Sequence, residues 1–169
     1  MKAVDNLMVV GVDGTADSLA ALGLAAELAR ESGSRLLVVH VRHESGVVAA
    51  NSALTGAEVA VNDALDEVEA MSRERAGDVL AGRGVPWSFE VASGDPSSEL
   101  IAAARHHRAG TIVVGGRTHG VVGGLVMGSV AQKLVRHSPV SVLVVREGHA
   151  DEFHVGPTSL TVERPGDGS

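Results

Sequence analysis

Five short apolar runs punctuate the chain: Leu7 to Val12, Arg35 to Val41, Val85 to Ala92, Thr111 to Val114 and Val140 to Val145. They are largely continuous rather than alternating, and glycine, proline or polar residues bound them. That pattern predicts strands covered on both faces. Between the runs, apolar residues recur at helical spacing. Leu and Ala do so from Ser18 to Arg30, with Gly33 as a stop signal. A longer helix is predicted from about Ala57 to about Leu80, with Val61, Leu65, Val68 and Val79 on one side and Glu67, Glu69, Arg73, Glu74 and Arg75 on a solvated face. Gly82 and Gly84 end it. A third helix starts at Pro96 or Ser97 and runs through Arg105, and a fourth runs from Gly128 to His137, stopped before Pro139.

Strand and helix therefore alternate along the chain. Such alternation predicts an α/β fold: a doubly wound five-stranded parallel sheet with helices on both faces, joined by right-handed crossovers. The expected strand order is 3-2-1-4-5. Pro86 lacks an N–H for a central ladder, so the third strand is expected at an edge. In this order the connections leave strands 1 and 4 in opposite directions, and ligands occupy the crevice outside the carboxyl ends at such a reversal. Those ends carry Val12-Asp13-Gly14-Thr15 and Gly115-Gly116-Arg117-Thr118, with His40-Val41 of strand 2 as a third wall.

Composition narrows the classes. With 169 residues, 44% hydrophobic but only 2% aromatic, the chain suits one domain with an aliphatic core. The absence of cysteine excludes disulfides, thiolate metal sites and cysteine nucleophiles. The first apolar run is short and enters Gly-Val-Asp-Gly rather than a cleavage site, and no apolar segment approaches the roughly 20 residues of a membrane helix. No membrane association and a cytoplasmic location are expected. A net charge of −7 gives no electrostatic reason to expect a nucleic-acid partner. From Glu147 the chain turns to Gly, Pro, Asp, Ser and Thr, so the domain is expected over residues 1–146 and a flexible tail over 147–169. The polar and small-residue segment from Arg42 to Thr55 is longer than an ordinary connection and reads as functional or mobile.

Candidate chemistry concentrates between Val113 and Ser129. There a short apolar run breaks into five glycines and Arg117, then meets Gly128-Ser129 at a predicted helix start. Glycine lets backbone N–H groups turn inward, and a helix N-terminus adds aligned donors. Arg117, Thr118 and Ser129 add more. The stretch reads either as an anion wrap or as a surface loop. A carboxylate beside bound phosphate repels it unless it faces a ribose hydroxyl or a divalent cation, so Asp13 reads as a ribose or Mg²⁺ contact, or else as a cap or turn residue of the first helix.

Val10-Gly-Val-Asp-Gly-Thr15, His40-Val41, and the run from Val113 to Val130 followed by Pro139 to Val145 resemble the universal stress protein family over residues 4–146. The N-terminal piece is weakly specific, and the C-terminal combination is strong. ATP-binding members carry Gly, two residues, Gly, nine residues, then Gly and Ser or Thr. Gly115 takes the first position and Gly128-Ser129 the last two, while Thr118 stands where the second glycine belongs. The resemblance implies that Val12, Asp13, Val41, Val114, Gly115, Arg117, Thr118, Gly128, Ser129 and Val130 line a site for ATP with Mg²⁺. It further implies a stress-response regulator and a homodimer through strand 140–145. An apolar edge strand invites the same association.

Other constellations are weaker. His40, His43 and Glu44, and His106 with His107, lack the i, i+4 spacing of a helical zinc motif. Serine hydrolysis has no nucleophile elbow to support it. His119 is the only candidate general base in the loop, which leaves slow ATP hydrolysis as the most that is expected of it. Two alternatives stand: a dimeric module of the same fold that binds no nucleotide, and an adenylating ATP pyrophosphatase, whose Ser-Gly-Gly-x-Asp-Ser loop Asp13-Gly14-Thr15-Ala16-Asp17-Ser18 resembles only in part.

Overall fold

The computed structural model describes residues 6–43, 53–116 and 127–146. They form β1 (Leu7–Val12), α1 (Ala16–Ser32), β2 (Arg35–Arg42), α2 (Glu58–Leu80), β3 (Trp87–Ser93), α3 (Pro96–His106), β4 (Thr111–Gly115), α4 (Ser129–His137) and β5 (Ser141–Val145). The sheet is parallel throughout, in the order β3-β2-β1-β4-β5. The predicted class and strand order are those observed.

Each inner strand feeds two cores because successive side chains point to opposite faces. Val10, Val12, Leu36, Val38 and Val113 pack with Ala21, Leu22, Ala25 and Ala29 of α1 and Ala76 and Leu80 of α2. Leu7, Val9, Leu37, Val39, Ile112 and Val114 pack with Leu100 and Ala104 of α3 and Ala131 and Leu134 of α4. Two buried faces explain why the runs show no polar alternation. The alanines of α1 let that helix lie close to the strands, which fits a core almost without aromatic rings.

Boundaries differ from the expected ones for local reasons. α1 begins two residues early because Thr15 caps it, its side chain accepting a hydrogen bond from Ser18 N–H, and Gly33 closes it at φ 66°. β3 begins at Trp87 rather than Val85. The Pro86 carbonyl accepts from the Leu36 N–H at 2.9 Å, but Pro86 has no donor with which to extend the ladder. The edge position expected of β3 is observed. Pro96 sits in the first turn of α3 behind the cap Asp95, and Gly128 caps α4.

Candidate functional site

The β1–β4 pairing ends at Val10–Val113, and beyond it the carboxyl ends of β1, β2 and β4 with the starts of α1, α3 and α4 bound a cleft of about 400 Å³. Its floor is apolar, with Gly11, Val39, Val114 and Leu100, and its walls carry the charged and hydroxyl groups. An added Cβ on Gly11 would lie 2.9 Å from Leu100 Cδ1, so the missing side chain lets Leu100 close the floor. The volume falls in the range of small-molecule sites.

Eight of the ten expected residues line this one cleft: Val12, Asp13, Val41, Val114, Gly115, Gly128, Ser129 and Val130. Arg117 and Thr118 lie outside the described residues, as do His119 and the 147–169 tail. Thr15, which the sequence placed at the crevice without a ligand role, also lines it, as do Asp17, His43, Asp95 and Lys133, which sequence reasoning missed as cleft residues.

The turn after β1 is built by short-range hydrogen bonds. Asp13 Oδ1 accepts from Thr15 N–H at 3.1 Å and from the Thr15 hydroxyl at 2.6 Å. Ser18 Oγ accepts from Asp13 N–H at 3.3 Å and donates to the Thr15 carbonyl at 2.9 Å. Gly14 takes φ 77°, where a side chain is strained, and its carbonyl accepts from Arg75 of α2 at 2.6 Å. Asp13 is thus both a turn residue and a cleft residue, and the helix cap is Thr15.

His40 is buried and bridges β2 to β1. Its Nδ1 lies 3.1 Å from the Val12 carbonyl, an acceptor, so Nδ1 carries the proton. Val39 and Val41, on the opposite face of the same strand, line the cleft. His43 Nδ1 lies 2.9 Å from the Gly94 carbonyl and by the same reasoning donates to it, joining the end of β2 to the start of α3. His40 and His43 thus each tie the end of β2 to a backbone carbonyl of a neighbouring segment, and Glu44 lies outside the described residues.

Gly115 lines the cleft and also has a packing role. A Cβ there would lie 2.7 Å from the Asp17 carbonyl carbon, 2.8 Å from its oxygen and 2.8 Å from Ser18 N. The glycine is required because the first turn of α1 passes against the backbone of β4. That contact holds the two walls of the cleft together.

Asp95 and Lys133 meet across the cleft. Asp95 Oδ2 accepts from Ser98 N–H at 3.1 Å, from the Ser98 hydroxyl at 3.0 Å and from the Ser97 hydroxyl, while Oδ1 accepts from Lys133 Nζ at 2.7 Å. The Lys133 ammonium, then the Ser97 hydroxyl and Ser98 N–H, hold the Asp95 carboxyl well below the usual carboxylate range. A depressed pKa stabilises the fold above the unfolded value of about 3.9, and the contribution is lost as pH falls through the folded value. Both side chains are partly exposed, so screening keeps it at most about 1 kcal/mol. Urea unfolding is therefore expected to show wild type more stable than Asp95→Asn at pH 6, with the gap closing as pH drops below about 4. An unchanged gap at pH 3 would mean that the carboxylate charge does not contribute.

Among the described residues that line the cleft, three are carboxylates, Asp13, Asp17 and Asp95, against the one ammonium of Lys133. No group of three His, Asp or Glu among the described residues is placed to hold a metal ion. That donor set fits Mg²⁺ only in its usual manner with nucleotides, held by phosphates, water and one or two carboxylates rather than by a protein cage.

A doubly wound parallel sheet with an open crevice at its strand-order reversal defines a nucleotide-binding type of α/β domain. The model of the universal stress protein family matches residues 7–146, and the chain belongs to that family. It is 32% identical over 148 residues to the universal stress protein YxiE of Bacillus subtilis strain 168, covering 83% of this chain and 99% of that one. Among solved structures, a universal stress protein in complex with cAMP is 25% identical, with a TM-score of 0.62, covering 85% of this chain and 98% of that one. The universal stress protein of Archaeoglobus fulgidus in complex with dAMP, at 21% identity and a TM-score of 0.63, covers 84% and 98%. Among the described residues no helix is long and apolar enough to cross a membrane.

Proposed function

We propose that this universal stress protein binds ATP with Mg²⁺ in the cleft between β1 and β4 and acts as a cytoplasmic stress-response regulator rather than as an efficient catalyst. The observation that carries the reading is the convergence of Val12, Asp13, Val41, Val114, Gly115, Gly128, Ser129 and Val130 on one crevice. Its apolar floor suits a base, and the start of α4 at Gly128-Ser129 offers N–H donors to phosphate. The family member solved with cAMP supports an adenine nucleotide as the ligand class. Mg²⁺ held through Asp13 offsets the carboxylates that surround the phosphates. The domain comprises residues 1–146.

The regulator works as a homodimer through strand 140–145. In support, β5 closes one edge of the sheet, and Val142, Leu143, Val144 and Val145 are only half-buried there. Light scattering at micromolar concentration is expected to give twice the chain mass, and a monomer would contradict the dimer. For the ligand, purified protein is denatured and the released small molecules are identified. An adenine nucleotide is expected. If none co-purifies and none binds at millimolar concentration with Mg²⁺, the interaction module without nucleotide is the correct reading.

A further inference from the structure

Lys133 lies four residues after Ser129 on α4, so the two side chains share one helix face, and both line the cleft. Its ammonium is held at 2.7 Å by Asp95, the cap of α3, which lines the opposite wall. Asp95 does not need lysine to keep its place. Its other oxygen is already fixed by the Ser98 N–H and hydroxyl and by Ser97. Lys133 sits on a flexible four-carbon stem with about half of its side chain exposed, and it has two further N–H donors. An anion resting on the Gly128-Ser129 start of α4 falls on the face from which Lys133 projects.

We propose that Lys133 is the charge-reading residue of the cleft: its ammonium exchanges Asp95 for a ligand phosphate, so that the site selects nucleotides over nucleosides and Asp95 competes with the ligand for the lysine. This rests on the nucleotide reading above. It assigns to one side chain the discrimination between phosphorylated and unphosphorylated ligands, and it makes the ion pair an internal competitor. The competition is what separates the proposal from a simple tie between α3 and α4. A tie predicts that breaking the pair from either side has the same effect on binding. Competition predicts opposite effects.

The test is calorimetric titration of the whole protein with ATP plus Mg²⁺ and, separately, with adenosine. Lys133→Met is expected to lower ATP affinity about tenfold or more, the scale of a lost charged hydrogen bond, while adenosine affinity stays within about twofold. Asp95→Asn keeps a capping oxygen for Ser98 N–H. It is expected to raise ATP affinity severalfold while lowering the melting temperature slightly. Equal loss of ATP and adenosine binding in Lys133→Met, or weaker ATP binding in Asp95→Asn, overturns the proposal and leaves the nucleotide site standing. Binding of neither ligand by the wild type removes the nucleotide reading and this inference with it.

Discussion

Gly115→Ala is expected to cost about 1–3 kcal/mol of stability, toward the upper end, and to abolish nucleotide binding. The added methyl would lie 2.7 Å from the Asp17 carbonyl carbon and 2.8 Å from Ser18 N. Both are backbone atoms at the start of α1, so no rotamer change relieves the overlap. The helix start must move away from β4, and it takes with it the Asp13-Thr15-Ser18 hydrogen bonds that shape the cleft wall. Gly77→Ala provides the contrast. That glycine lies inside α2, a Cβ added there would meet none of the other described segments within 4 Å, and the change is expected to stabilise by about 0.5–1 kcal/mol. Urea midpoints of the two variants and the wild type check both signs. Equal stability of Gly115→Ala and wild type would contradict the close approach of α1 to β4.

The effect of Asp13→Asn on ATP binding is expected to change sign with the presence of Mg²⁺. The amide oxygen can still accept from Thr15 N–H and Oγ–H, so the turn is kept. The charge is removed. With Mg²⁺ present, ATP affinity is expected to fall by about 10-fold or more, the scale of a lost metal-site contact. In EDTA the same variant is expected to bind ATP more tightly than wild type, because one of the three carboxylates that line the cleft is gone. Parallel titrations with and without Mg²⁺ read both effects. A loss of equal size under both conditions would assign Asp13 to a ribose contact or to the turn alone, and Mg²⁺ would drop out of the reading.

Much of the fold was legible because two local signals agreed. Unbroken aliphatic runs announced strands buried on both faces, and the alanine-rich spacing of α1 announced a helix packed close to them. Pro86 gave away the edge strand through its missing donor. The crevice followed from strand order, which needs no side-chain detail. The Asp95–Lys133 pair spans 38 residues and depends on how α3 and α4 settle on one face of the sheet, so no local pattern carried it. Asp95 could be read only as part of a helix start. Gly115 was visible as a motif glycine, but its contact with Asp17 depends on the angle at which α1 leaves β1. The full acidic lining was hidden for the same reason: Asp13 and Asp17 sit four residues apart around the start of α1, but Asp95 belongs to a distant segment that only the folded sheet brings to the same cleft.

Titration of the wild-type protein with ATP in the presence of Mg²⁺ tests the nucleotide assignment most directly. Saturable binding of one nucleotide per chain is expected, weakened when Mg²⁺ is removed and lost in Gly115→Ala. No binding at millimolar ATP with Mg²⁺, by a wild-type protein that unfolds cooperatively, would contradict it.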